Sequence, residues 1–437
     1  MNRKKVIYQL SLRTFTPEGT IVAASGLLSH IASLGADIVY LCPFYKQDND
    51  TDRATWSQRQ IASNTNNPKN PYKISDYFSV DEEYGTSDDL KAFVEEANRC
   101  GLLVMFDLVY LHCGKNAVFI DEHPDFVERD EDGCVKVAER WPFARFNFKS
   151  EGLRNYLFCN METLITKYDA DGFRCDVGDC VPLDFWQDSF QRLKKLKPEL
   201  ITLNEGENPE YIEETFDMGY SFGWTSLMVE IFSGKTPASK LKEFHVSERV
   251  KYGDNVKKLI RTIDTHDTAS DCGLKRNEII MTSRGVEAAL VVTNTFDGVP
   301  FLWNGYEVCD NAENNMFSNR DYGRRSAINW SKGFTEDGVR RMKFISNIHR
   351  IYHNCNAISD GALMWVDNSA PDEIISYIKT LENKRVIVFV NSKNKTVESD
   401  FNYKTEEVYI ESGVTFDGEK ITMEPYGYIA ALTKGEL

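Results

Sequence analysis

Residues 170–179 read ADGFRCDVGD, and within them Arg174 and Asp176 alternate with Phe173, Cys175 and Val177. In a strand, successive side chains point to opposite faces, so Arg174 and Asp176 share one face while Phe173 and Cys175 share the other. Two charges on an otherwise apolar strand are costly unless they meet each other or face a wet cleft. A guanidinium that keeps a carboxylate ionised would make a nucleophile; a buried pair that only steadies the core would look the same. These two residues leave both readings open. Three more acids stand at strand-like ends: Asp107 ends LLVMFD, Glu205 ends LITLNE, and Asp267 follows KLIRTIDTH. Each alone reads as a turn former or helix cap. Gathered at one mouth, they would raise one another's pKa, so that one member stays protonated near neutral pH. Glu205 has no cation beside it in sequence and is the candidate for that member. Two carboxyl groups in opposite protonation states, about 5–5.5 Å apart, are the equipment of a retaining glycosidase.

The elements that must position these acids alternate between apolar runs and amphipathic stretches. The candidate strands are 6–12, 36–43, 102–109, 172–177, 200–205, 216–223, 258–264 and 299–305. Between them lie helix patterns such as 86–101, with Thr86 and Ser87 as possible N-caps and Gly101 as a stop, and 150–168. Eight strand–helix alternations predict an α/β fold of the (β/α)8 TIM-barrel type, which needs about 250 residues and carries its reactive groups at the C-terminal strand ends. An open doubly wound sheet usually has a glycine-rich turn after its first strand, and SLRTFTPEGT is not one. The expected organisation is a catalytic barrel over 1–111 and 149–357, a small subdomain of 112–148 inserted after the third strand, and a C-terminal antiparallel β-sandwich over 358–437.

The chain has 437 residues, 42% hydrophobic and 27% charged, with a net charge of −16. That charge argues against nucleic acid or an anionic membrane surface as partner. No run approaches membrane-spanning length, and the N-terminus lacks the pattern of a secretion signal. Ten cysteines without C-x-x-C spacing suggest reduced thiols and a cytoplasmic address. Nothing in the sequence indicates oligomeric state.

Four motifs in order make the chain resemble glycoside hydrolase family 13, the α-amylase family. They are DLVYLH (Asp107, His112), GFRCD (Arg174, Asp176), LITLNEGEN (Glu205) and DTHDT (His266, Asp267). VIYQLSLRTF, NPYKISDYFSVDEEYGTSDDLKAFVEEANRCG and GVPFLWNGYE add supporting matches. The resemblance implies a retaining mechanism with Asp176 as nucleophile, Glu205 as acid/base and Asp267 steadying the transition state. It implies that Tyr72 stacks on the sugar at the cleavage site, that His112 and His266 donate hydrogen bonds to that sugar, and that Asp107 is structural, placing Arg174. Glu207 rivals Glu205, but the motif favours Glu205.

The departures also carry expectations. Leu111 stands where the family often has a calcium-binding Asn, so no metal is expected there, and no cofactor is implied. The acidic run DNDTD (48–52) could hold calcium but reads better as an exposed charged loop. Thr265 replaces an Asn, and Gly178, Asp179 and Cys180 replace a Lys-His that touches sugar beyond the cut. The expected activity is therefore cleavage of α-glucosidic bonds, α-1,4 above others, in malto-oligosaccharides, with exo or short-substrate action favoured over endo-cleavage of starch. A glucanotransferase or sugar-isomerising enzyme is the alternative, and a sugar-binding scaffold that has lost catalysis is a third possibility.

Overall fold

The computed structural model describes residues 5–138, 140–269, 275–322 and 327–434; Cys272 lies outside them. Eight parallel strands form the central sheet: β1 (Ile7–Leu10), β2 (Ile38–Leu41), β3 (Leu103–Leu108), β4 (Gly172–Cys175), β5 (Ile201–Asn204), β6 (Met218–Gly219), β7 (Ile260–Arg261) and β8 (Val299–Trp303). Their spatial order is β6-β5-β4-β3-β2-β1-β8-β7, and a parallel bridge between Gly219 and Leu259 joins the two ends into a barrel. All eight fall within the runs expected from sequence. The reason is physical: strands covered on both faces read as short continuous apolar segments, as IYQL, IVYL and VPFLW do.

Helices cover the barrel. Helix α1 (Ser87–Arg99) is capped by Thr86, whose side chain accepts the Asp89 N–H while the Asp89 carboxylate accepts the Thr86 N–H, a reciprocal capping box. Helix α2 (Glu151–Tyr168) starts on Ser150, whose hydroxyl oxygen accepts the Leu153 N–H. The segment after β3 returns on itself, with His112–Cys113 pairing antiparallel to Ala144–Arg145. The acidic run 48–52 is not the simple exposed loop expected. Asp48 is buried, accepts the Asn116 N–H and side-chain amide, and lies 3.9 Å from the buried Lys73 ammonium. Lys115 pairs with Asp50 at 2.7 Å. None of the nine described cysteines forms a disulfide, and five of them are buried. Among the described residues no helix is long and apolar enough to cross a membrane.

Beyond the barrel, six antiparallel strands follow: β9 (Ala362–Trp365), β10 (Ile374–Leu381), β11 (Lys384–Asn391), β12 (Val397–Asp400), β13 (Lys404–Asp417) and β14 (Lys420–Lys434). They make one continuous sheet, because the long β14 pairs with β12 near its start, with β11 near its end, and with β13 along its length. The period-2 alternation is clear on β10 and β11. Ile375, Tyr377, Val386 and Val388 join the barrel's core, while Ile374, Ile378, Ile387 and Phe389 form a second core on the other face.

Lys379 lies on the barrel-facing side of β10 and is fully buried, with its ammonium 2.5 Å from Asp297, just before β8. Burial alone would raise the Asp297 carboxyl, but His245 and Lys379 outweigh it and hold the group well below the usual range. Removing Lys379 takes away the nearest cation and leaves the buried Asp297 with His245 at 3.4 Å and Arg249 at 3.8 Å, a costly change for a buried charge. Lys379→Met is therefore expected to cost about 3–5 kcal/mol at neutral pH. Asp297 is the depressed-pKa case, so the stability it contributes is present above its unfolded pKa near 3.8 and is lost as pH falls. Urea unfolding should show the deficit of Lys379→Met at pH 7 narrowing in strong acid; an unchanged midpoint at pH 7 would contradict this account.

Candidate active site

The C-terminal strand ends surround a cavity of about 670 Å³ lined by Tyr72, His112, Asp176, Glu205, His266 and Asp267, among others. Six sequence-chosen residues thus share one chamber. The other two, Asp107 and Arg174, are fully buried and absent from the lining, beneath the chamber floor.

Strand register explains how they meet. On β3 and β4, Asp107 pairs laterally with Arg174; on β4 and β5, Arg174 pairs with Leu203, two residues before Glu205. Because side chains repeat every second residue, Asp107, Arg174, Asp176 and Glu205 all point inward. Arg174 donates from Nη1 to Asp107 Oδ1 at 2.7 Å and to Asp176 Oδ1 at 2.8 Å. Its Nη2 stands 2.7 Å from Glu205 Oε2 as an ion pair. Tyr40, Tyr72 and Tyr220 place their rings 5.8–6.0 Å from the guanidinium. The Arg174–Asp176 alternation thus serves more than one pair: one arginine holds three carboxylates. Glu205 does have a neighbouring cation, supplied across the sheet, where sequence adjacency could not reveal it.

Burial nevertheless dominates at Glu205 and lifts its pKa to about 7, with Arg174 opposing and Asp267 adding to the rise. Asp176 is also raised by burial, against the pull of Arg174 and with the push of Glu205. The two acids titrate as a pair, and burial favours one shared proton near neutral pH. Arg174 makes a true hydrogen bond to Asp176, whereas its approach to Glu205 lacks that geometry. Glu205 Oε2 is taken up by Arg174 and by the Val177 N–H at 2.7 Å, which leaves Oε1 as the seat for the proton. Val177 reaches this position in the left-handed region, φ 44° and ψ 43°, which is strained for a β-branched residue.

Tyr72, His266 and Asp107 form a chain. Tyr72 Oη donates to Asp107 Oδ2 at 2.9 Å and meets His266 Nε2 at 2.7 Å, with the two rings stacked at 5.3 Å. Gln9 on β1 fixes the direction. Its Oε1 accepts the His266 backbone N–H, so its amide nitrogen faces Nδ1 at 2.6 Å and the ring proton belongs on Nε2. Burial lowers the His266 pKa to about 4, leaving the ring neutral at pH 7. Burial opposes ionisation of Asp267, but His266 and Arg59 hold its carboxyl well below the usual range. With His266 neutral, Arg59 is the effective cation there, donating to Asp267 Oδ1 at 2.7 Å.

His112 is neutral too, its pKa lowered by burial to about 4. Its Nε2 donates to the Tyr72 carbonyl at 3.0 Å, so the expected donor to sugar is already engaged and Nδ1, an acceptor, is left without a protein partner among the described residues. The rivalry between Glu205 and Glu207 resolves into different surroundings. The Glu207 carboxylate accepts the Phe222 N–H at the start of helix α3 (Phe222–Phe232), away from Arg174.

Sequence reasoning missed Gln9, Arg59 and the role of Asp179. Gln9 had a signal, being a lone polar residue inside VIYQLSL; Arg59 comes from a short helix, Gln58–Ala62, between the second and third barrel strands and had none. Asp179 accepts the Asn204 amide at 2.7 Å and the N–H groups of Glu207 and Asn208 at 2.8 and 2.9 Å, clamping the turn that carries Glu205. Gly206 permits this approach: a Cβ there would lie 2.2–2.4 Å from the Asp179 carboxylate. Gly206→Ala is expected to displace the turn and lower kcat by about 10–100-fold, since misplacement by an ångström carries that cost. Steady-state kinetics beside a circular-dichroism melt would check it; full activity would show that the clamp does not position Glu205.

A family profile described as "Alpha amylase, catalytic domain" matches residues 18–132. The chain is 24% identical over 406 residues to the α-amylase MalA of Haloarcula japonica, covering 88% of this chain and 55% of that protein. It is 21% identical to the maltogenic α-amylase of Bacillus acidopullulyticus, covering 87% of this chain and 64% of the relative. The chain thus spans less than two thirds of the length of these relatives. The crystal structure of a maltogenic α-amylase, AmyB, from Thermotoga neapolitana shares the fold, with a TM-score of 0.79, 21% identity and 98% of each chain covered.

Proposed function

We propose that this chain is a member of the α-amylase family (glycoside hydrolase family 13) and a retaining glycoside hydrolase that cleaves α-glucosidic bonds, chiefly α-1,4, in malto-oligosaccharides; the matching profile and relatives support the reading. The single observation that carries the reading is the anchoring of Asp176 and Glu205 on the two terminal nitrogens of one guanidinium, at the wall of one cavity. That anchoring holds the two acids close, as the separation of about 5–5.5 Å in a retaining pair requires.

In this mechanism Asp176 attacks the anomeric carbon as Glu205 gives its proton to the departing glycosidic oxygen. The bond from Asp176 to the sugar forms while the bond to the leaving group breaks. Glu205, now a carboxylate, takes a proton from water, which attacks the same carbon from the other face, freeing Asp176 and restoring the α configuration. Asp267 accepts from sugar hydroxyls, Tyr72 lays its ring against the sugar's C–H face, and Asp107 and Arg174 hold the nucleophile in place. Thiols outside any disulfide, five of the nine described ones buried, suit a reducing compartment, and the cytoplasm is the proposed location.

The test is the product course on maltose through maltoheptaose, followed by NMR of the newborn anomeric proton. Release of α-configured products shorter than the substrate supports the proposal. Products longer than the substrate would move the reading to transglycosylation. Initial β-configured product, or no turnover of any α-linked sugar, would overturn it.

A further inference from the structure

The cavity has two unlike ends. Glu205, the proposed proton donor, follows β5, and the neighbouring wall comes from the turns after β4, β5 and β6: Asp179, Cys180, Glu207 and Phe222. That is where a leaving group must lie. The opposite wall comes from the segments after β2, β7 and β8, which are contiguous with β1 on the far side of the barrel. There Arg59 crosses from the short helix Gln58–Ala62 to the other two segments. Its Nη1 donates to Asp267 Oδ1 at 2.7 Å, and its Nη2 donates to the Asp267 carbonyl at 3.2 Å and approaches Met316 Sδ at 3.8 Å.

The crossing is fastened from behind. Next to Arg59, the Gln60 amide donates to the Asn67 carbonyl at 2.9 Å, and the Asn67 amide donates to the Phe317 carbonyl at 3.0 Å. Arg13 donates to the Met316 carbonyl at 2.7 Å. A second glycone sugar at this end would have to displace the Arg59–Asp267 pair, whose side chains are 37% and 35% exposed, and loosen a wall held by Gln60, Asn67 and Arg13. A single terminal sugar needs neither.

We propose that Arg59 closes the glycone end of the cavity and restricts the enzyme to the terminal residue at the non-reducing end, released one glucose at a time. Arg59 is then a specificity residue for chain-end recognition, and by occupying Oδ1 it leaves Asp267 Oδ2 to receive a hydroxyl of that terminal sugar. This rests on the hydrolase reading above and adds a direction of attack to it.

Maltotetraose labelled at its reducing end separates the outcomes with the wild-type enzyme. The expected first products are unlabelled glucose and labelled maltotriose. Label appearing first in glucose or maltose overturns the inference while leaving the hydrolase reading intact. A maltoheptaoside blocked at its non-reducing end by a cyclic acetal gives the second measurement. Wild type should cleave it at least about a hundredfold more slowly than the unblocked sugar, and Arg59→Ala should narrow that ratio by about tenfold or more. An unchanged ratio in Arg59→Ala, or ready cleavage of the blocked sugar by wild type, also overturns the inference. No turnover of either maltoheptaoside or of maltotetraose defeats the hydrolase reading, and this inference with it.

Discussion

Asp176→Gly is expected to lose turnover by about 10³–10⁵-fold and to regain a different reaction when azide is added. Removing the side chain leaves a space on the attacking face of the anomeric carbon, and azide can enter it and displace the leaving group directly. One displacement inverts the centre, so an α-glucoside gives the β-glucosyl azide. Glu205→Ala should behave differently with 4-nitrophenyl α-glucoside, whose leaving group needs no proton. Asp176 still forms the glycosyl ester there, azide then attacks it, and two inversions give the α-glucosyl azide. NMR of the anomeric proton reads the result; the same anomer from both variants would undo the assignment of roles. The pH dependence follows from the same pair. As the proposed acid, Glu205 acts only when protonated, and burial lifts its pKa to about 7, so kcat/KM of the wild type should fall as pH rises through about 7.

Arg174→Met should be the most damaging change that leaves the cavity's shape intact. It removes the one cation that touches Asp107, Asp176 and Glu205 together, all of them buried or nearly so. The expected cost is about 3–5 kcal/mol at pH 8, with activity lost. Without the guanidinium, Asp176 and Glu205, already raised by burial, bind protons more readily when folded than when unfolded. Their raised folded-state pKa makes the variant most stable in acid and progressively weaker as pH rises. Urea unfolding at pH 5 and pH 8 should show the gap from wild type widening at pH 8. Arg174→Lys keeps a charge but loses the fork that reaches three partners, and should fall between the two in stability while staying poorly active. A gap equal at both pH values would mean that the charge cluster is not what Arg174 sustains.

The barrel was legible because its strands are covered on both faces, which writes them as compact apolar runs ending in an acid, as LLVMFD and LITLNE do. The same ends located the carboxylates of the cavity. What escaped were lateral relations. Glu205 gains Arg174 through the register of β4 on β5, Gln9 reaches His266 from 257 positions away, and Lys379 meets Asp297 across 82. Such partners are chosen by packing geometry, and no local pattern encodes them. Asp48 failed for a related reason: its run looks solvated, yet Lys73, a residue 25 positions on, draws it inside.

The Lys379–Asp297 contact has a consequence for how this architecture can be divided. Severing the chain after the barrel would strip away Ile375, Tyr377, Val386 and Val388 and also the ammonium, uncovering an acid set deep against β8. A truncated catalytic half would therefore keep an acid held, among the described residues, only by His245 at 3.4 Å and Arg249 at 3.8 Å, beside an uncovered apolar face. The C-terminal sheet is less an appendage than a keystone, and swapping it for an unrelated module should fail unless the newcomer brings a positive charge to the same spot.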